Sequence, residues 1–393
     1  MSIFLLLLYH LPGGNVDGRI QKILLHDDGY TTIARDFVQQ GTSLFHREVG
    51  PGLPLIYAPA LLLPDKFQAI GRYFTTVLLN ILSFILMFLL MRKLNLSEML
   101  FGIAAMFMIV HPVFIHWTIK SAPEPLVTLL LLLFAYLILC GKRFWPGAAA
   151  IFITSIFVRP TFLFIPLAML ALALADKHKM LVFFSALLIV LSIFGYWLNN
   201  KITVQSCMDD LTTYSSGLHE IIMDAYFVDN VLQTRRFTTG SRNWPDGNRP
   251  MAHQQYWQWL RANREPNDNR FSLIWKFVEQ HPRMILQKAL FNPLFFLSMC
   301  SSTTETWLTL VCNLVLLSFG IVGIFSTGLS ADQKLLLTIA LGYFFIFWIG
   351  HAYSRYIYAL LPFLAMFAAQ GVLLLARYLD AKRNRGLNNL HQP

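Results

Sequence analysis

Apolar residues along this chain arrive in blocks, most of them roughly 15 to 25 long, separated by short polar or basic stretches. A helix rising about 1.5 Å per residue needs about 20 residues to cross the ~30 Å hydrocarbon layer, so these blocks read as membrane spans. They lie at 2–11, 72–91, 100–117, 125–140, 144–158, 161–175, 180–198, 304–327, 335–350 and 357–376. The pattern predicts an all-α polytopic membrane protein with about ten transmembrane helices. No region shows the alternation of a membrane β-barrel strand.

Block 2–11 is too short to span untilted and lacks the basic flank and small-residue cleavage site of a signal peptide, so either the helix is truncated or the start codon is misplaced. Blocks 144–158 and 161–175 are each only about 22 Å long at helical rise. They predict a hairpin whose Arg159-Pro160 turn is sunk below the outer surface. Segment 199–303 is polar, with helical stretches expected near 217–232 and 250–263 and an amphipathic one from Phe271 to Leu290 lying on the membrane.

Composition agrees with lipid as the main solvent: 56% of residues are hydrophobic and 13% charged, too little polar surface for a soluble globule of 393 residues. The net charge of +10 does not form one continuous basic face, which argues against nucleic acid as a partner. Instead Arg92-Lys93, Lys142-Arg143, Lys177 with Lys179, Lys334, and the tail residues Arg377, Lys382, Arg383 and Arg385 all fall on one side when the spans are threaded in order. The positive-inside rule makes that side cytoplasmic. Residues 12–71, 118–124, 159–160, 199–303 and 351–356 then face outward. The expected organisation is an N-terminal transmembrane catalytic module over 1–198 with its first extracytoplasmic loop at 12–71, a large extracytoplasmic loop region over 199–303, C-terminal transmembrane helices over 304–376 and a basic cytoplasmic tail over 377–393. Cys207 and Cys300 could pair in an oxidising compartment, and no cysteine spacing suggests a metal site.

Candidate chemistry collects on the outer side. Asp27-Asp28 precede a helix whose Tyr30, Ile33, Ala34, Phe37 and Val38 form one apolar face ending at Gly41. Capping that helix needs one aspartate, and the other is placed to take a proton from a hydroxyl or to bind a cation. Gly50-Pro51-Gly52-Leu53-Pro54-Leu55-Ile56-Tyr57 reads as a rigid turn feeding a short apolar helix. Arg72, at the start of a span, could snorkel to headgroups or meet a substrate anion. Arg159, between two short apolar blocks, should face a cavity or a partner. Arg355 marks a late outer turn, and Glu124 is either a ligand for metal or acceptor or an acid favoured by a helix N-terminus. His111, His116 and Lys120 could touch an anion or anchor the interface, and Trp244, Trp257 and Trp259 could stack on sugar rings or pack in a small core.

The order of these features resembles the GT-C superfamily of membrane glycosyltransferases, in the branch of protein O-mannosyltransferases and lipid A aminoarabinose transferases. The resemblance runs through Asp27-Asp28, Tyr30, Ile33-Ala34, Gly41, Pro51 and Pro54 before Ile56-Tyr57, Arg72, His111-Pro112, Ser121 to Glu124, Arg159-Pro160-Thr161, Trp197-Leu198-Asn199, and Ser354-Arg355-Tyr356 before Leu361-Pro362. It implies a sugar donor on a polyprenyl phosphate and an acceptor that is a glycolipid, a glycan or a protein. It also implies inverting transfer on the outer face of the membrane, which for a bacterial chain is the periplasmic side of the inner membrane. Under it, one of Asp27 and Asp28 is the general base, and Arg159, Arg355 and Arg72 are candidates for the donor phosphate. Glu124, His111 and Tyr57 become candidates for acceptor or a divalent metal, with no other cofactor expected. A transporter or lipid-linked glycan flippase would share the composition but should place ionisable residues mid-span in repeated halves. An O-antigen ligase or polymerase would carry its Arg and His in late loops.

The orientation is directly testable: a cysteine replacing Thr42 should react with an impermeant thiol reagent on intact spheroplasts, and labelling only after lysis would invert the topology.

Overall fold

Proline and glycine set where the helices of this chain start and stop. The computed structural model describes residues 30–41, 51–119, 122–159, 162–205, 221–222, 225–230, 232, 248–263, 265, 270–298, 303–349 and 354–390, and among them regular structure is helical, with no strand. The N-terminal half comprises α1 (Tyr30–Gln40), α2 (Gly52–Leu61), α3 (Asp65–Lys93), α4 (Glu98–Val110), α5 (Pro112–Ile119), α6 (Glu124–Leu139), α7 (Trp145–Val158), α8 (Ile165–Ala175) and α9 (Lys179–Gln205). The remainder comprises α10 (Asn248–Asn263), α11 (Arg270–Gln280), α12 (Pro282–Ser298), α13 (Thr303–Thr327), α14 (Ala331–Ile349), a 3₁₀ turn (Ser354–Leu360) and α15 (Leu361–Leu390). α1 ends where expected, at Gly41, whose φ of +66° is a conformation glycine adopts without a Cβ penalty.

Among the described residues four helices are long and apolar enough to cross a membrane: Phe67–Lys93, Thr306–Ser326, Ala331–Trp348 and Arg355–Arg383. A fifth results if α4 and α5, bent by 68°, count as one broken span. Block 2–11 lies outside the described residues, and other expected spans correspond to the shorter apolar helices Glu124–Leu139, Ile165–Ala175 and Lys179–Gly195. This is the architecture of an all-α integral membrane protein.

The distribution of side chains is inverted relative to a soluble bundle. On α3 the residues Phe74, Leu78, Ile81, Leu82 and Ile85 are exposed, while Arg72, Thr76, Asn80 and Ser83 are buried. On α13, Trp307, Val311, Leu314 and Phe325 are exposed, whereas Thr309 and Asn313 are fully buried. Apolar surface costs nothing against lipid tails, and a polar group there would lose its partners, so the polar stripe of each helix turns inward.

With no hydrophobic driving force between helices in lipid, close approach of small residues holds such a bundle together. α13 and α15 touch backbone to backbone: a Cβ added at Gly371 would fall on the Phe319 carbonyl oxygen, and one at Gly323 on that of Phe367. Gly342 on α14 similarly admits Ile165 at the start of α8, whose Cα lies 2.7 Å from where a Cβ would stand.

The amphipathic segment expected to run unbroken from Phe271 to Leu290 is instead two helices, α11 and α12, separated at His281. Pro282 lacks the N–H that would continue the ladder and biases His281 away from helical backbone. α12 is pinned to the outer bundle by Asn292 Nδ2 donating to the Trp348 carbonyl (2.8 Å) and Trp348 Nε1 donating to that of Ala289 (2.7 Å). Its Leu286 and Leu290 remain exposed beside the exposed Trp348 of α14, continuing that helix's lipid-facing surface.

Candidate functional site

Three chain breaks bring together the charged residues singled out from the sequence. Arg159 closes α7 in extended backbone (φ −165°, ψ 129°), which the following proline favours, and its N–H caps the Ser155 carbonyl at 2.8 Å. Glu124 is the first residue of α6, set between Pro123 and Pro125. Arg355 and Tyr356 sit in the tight 3₁₀ turn ahead of α15. The expectation that Arg159 must find a partner is met: its Nη1 lies 2.9 Å from Glu124 Oε1, and Arg355 Nε approaches the same oxygen at 3.4 Å.

The Tyr356 ring organises both guanidiniums. Arg159 Nη2 donates to its hydroxyl at 2.8 Å, and that guanidinium lies 4.3 Å from the ring centroid. Arg355 lies 5.1 Å from the same ring and 5.4 Å from the indole of Trp117 on α5. Phe347 stacks on Tyr356 with centroids 4.3 Å apart. Glu124 is 2% exposed while the two arginine side chains are 18% and 23% exposed, so the carboxylate is the buried floor and the cations face outward from it. Glu124 Oε2 has no hydrogen-bond partner. Among the described residues, two guanidiniums thus share one carboxylate oxygen, and the second oxygen is an unused acceptor.

Tyr30, the first residue of α1, lies within electrostatic reach of Arg159. Asp27 and Asp28 fall outside the described residues, as do Lys120, Trp244 and the Cys207–Cys300 pair. Arg72 does not snorkel: it is 5% exposed and donates from Nη1 to Thr31 Oγ1 at 2.6 Å, tying α1 to the head of α3. Tyr57 is fully buried, with its hydroxyl 3.1 Å from Thr76 Oγ1, and Thr76 in turn donates to the Arg72 carbonyl at 3.2 Å. Tyr358 joins these two groups, since it feels both Glu124 and Tyr57, donates to Asn80 Oδ1 at 2.6 Å and meets Thr118 Oγ1 at 3.2 Å.

His111 is not part of this cluster. It occupies the α4–α5 break, where Pro112 removes a ladder donor. Its Nδ1 accepts from the Val113 N–H at 3.3 Å, so Nε2 carries the proton and donates to Asn313 Oδ1 at 3.1 Å. Asn313 Nδ2 donates to the Leu297 carbonyl at 2.6 Å, so His111 locks three elements together. Trp259 is also a packing residue, with its indole on the Phe277 ring and its Nε1 bonded to Gln280 Oε1 at 2.7 Å. Among the described residues, no group of three or more His, Cys, Asp or Glu is placed to hold a metal ion.

Sequence reasoning reached Arg159, Arg355 and Glu124 but gave no role to Tyr356, Trp117 or Tyr358. Tyr356 could have been found from its adjacency to Arg355; nothing marks Trp117, one aromatic among many. No family model matches this chain, and no curated protein is significantly similar to it.

Removing the charge of Glu124 should therefore expose two guanidiniums to each other. Glu124→Gln is expected to lower stability by on the order of 2 kcal/mol, the low side for a buried pair because both arginines are partly exposed. Added pyrophosphate should restore more of the thermal unfolding midpoint in the variant than in the parent. An unchanged midpoint would mean that the carboxylate does not hold the arginines.

Proposed function

We propose that this chain is a GT-C-type glycosyltransferase of about ten membrane spans. In a bacterial cell it would sit in the inner membrane with its site facing the periplasm. It would move a sugar from a polyprenyl phosphate to a hydroxyl of a glycolipid, glycan or protein. The observation that carries this reading is the Glu124–Arg159–Arg355 cluster: two guanidiniums share one buried carboxylate, are backed by Tyr356 and face outward at chain turns between apolar helices. Such an arrangement suits an anion that arrives on a lipid tail. The order of motifs shared with the GT-C superfamily supplies the rest.

In this mechanism one of Asp27 and Asp28 accepts the proton of the acceptor hydroxyl as its oxygen attacks the anomeric carbon. The bond from that carbon to the phosphate oxygen breaks on the opposite face, which inverts the centre. The negative charge that develops on the leaving polyprenyl phosphate is taken by Arg159 and Arg355, whose geometry is preorganised by Glu124, so little reorganisation accompanies the step. Arg72 serves the site indirectly, since its hydrogen bond to Thr31 anchors the helix that follows the aspartates.

The assay is sugar transfer from a polyprenyl phosphate donor in purified membranes. At the base position Asp→Asn should lower turnover by about a hundredfold or more with donor binding kept, whereas at the capping position Asn serves nearly as well. Arg159→Gln should weaken donor use by a few kcal/mol. Near-normal turnover in both Asp27→Asn and Asp28→Asn would move the base elsewhere and favour the transporter reading; unchanged donor kinetics in Arg159→Gln would remove that residue from the site.

A further inference from the structure

A cavity that includes none of the arginine-cluster residues lies at the junction of α11 and α12. It has a volume of about 440 Å³ and is lined by Asp229, Leu232, Gln280, His281, Pro282, Arg283, Met284 and Gln287, drawn from the helical stretch at 225–230, from Leu232, and from α11, α12 and the break between them. Small-molecule sites typically occupy ~300–1,000 Å³. The wall combines a carboxylate, an imidazole, a guanidinium and two amides with the apolar side chains of Leu232, Pro282 and Met284.

The chemistry of that wall selects the ligand class. Burial lowers the pKa of His281, partly opposed by the charge of Asp229, so the ring is neutral at neutral pH and offers one donor and one acceptor. Asp229 and Arg283 give the wall one charge of each sign. An anion gains no net attraction here, whereas hydroxyl groups, each a donor and an acceptor, match every polar group present. The imidazole is held in place by the rings of Phe277, 4.7 Å away, and Tyr226, 5.9 Å away. Gln287 Oε1 is buried without a partner, and natural folds seldom keep such an unmet acceptor without use for it.

Position adds the second half of the argument. On α12, Arg283 and Gln287 form an i, i+4 stripe next to the exposed Leu286 and Leu290, so the cavity lies beside the lipid-facing surface of that helix. The same helix carries Phe296, which packs on Phe347, which stacks on Tyr356 at the arginine cluster. The 17 residues of α12 measure about 25 Å, which bounds the separation along the helix between the two sites.

We propose that this cavity is a saccharide subsite, which holds an outer sugar unit of an extended acceptor glycan while the reacting unit lies at the arginine cluster. The inference rests on the glycosyltransferase reading for the word acceptor, but its test does not depend on transfer. Full-length protein in detergent is examined by saturation-transfer NMR with the methyl glycosides of glucose, galactose, mannose and N-acetylglucosamine. At least one glycoside should give a signal that falls by about tenfold in both Asp229→Asn and Gln287→Leu, as expected when a buried polar partner is lost. Gln287→Leu should meanwhile unfold no earlier than the parent, because it removes an unsatisfied acceptor. No signal from any glycoside, or a signal equal in parent and variants, overturns the subsite. So does a signal abolished by phosphatidylglycerol vesicles in the parent but unaffected by the substitutions, which would assign the binding to lipid headgroups. Because the readout is binding, a catalytically dead enzyme leaves this result standing, and loss of the subsite leaves the donor site untouched.

Discussion

A carboxylate buried to 2% exposure with a guanidinium 2.9 Å away and a second at 3.4 Å from the same oxygen is an arrangement that no member of the group can leave alone. Withdrawing either arginine leaves Glu124 less compensated in a poorly solvating interior, and withdrawing Glu124 sets two cations against each other. The constraint therefore fixes three chain segments at once: the start of α6, the end of α7 and the turn into α15. Tyr356 makes the arrangement stiffer by holding the Arg159 fork through its hydroxyl and its ring face. The arrangement holds two partly exposed guanidiniums in fixed orientations above one buried carboxylate.

The rest of the bundle is arranged so that this cluster can exist among apolar helices. Polar residues of α1, α2, α3, α5 and the 3₁₀ turn meet on the inside as Arg72–Thr31, Tyr57–Thr76 and Asn80–Tyr358–Thr118, while the opposite faces of the long helices are Leu, Ile and Phe. Glycine contacts let α13 and α15 approach to backbone distance, which brings the turn at Ser354–Leu360 up against α6 and α12. The turn that carries Arg355 and Tyr356 is thus joined to α12 by direct packing.

Much of this was legible in the chain. Apolar blocks gave the helices because lipid imposes one length, and an arginine next to a proline between two short blocks marked Arg159 because such a charge needs a partner. The partners themselves were harder to read. Glu124 lies 35 residues from Arg159 and Tyr356 lies 197, and no local pattern encodes a contact over that span. Arg72 could be read either as a headgroup anchor or as a partner for a substrate anion, because its position at the start of a span is the same whether it faces lipid or the bundle. The break between α11 and α12 is marked by Pro282, but the segment from Phe271 to Leu290 reads along the chain as one amphipathic stretch. His111 carried a histidine-proline signature with two readings, and only the approach of Asn313 from a distant helix decided for the structural one.

The central claim is that Arg159 and Arg355 receive the phosphate of a lipid-linked sugar donor. An experimental structure of the protein in nanodiscs with a polyprenyl phosphate bound addresses it most directly. The account predicts phosphate density within about 3 Å of one or both guanidiniums, with Glu124 still at their base. Phosphate bound elsewhere, with the Glu124–Arg159–Arg355 group closed and unoccupied beside it, would contradict the account.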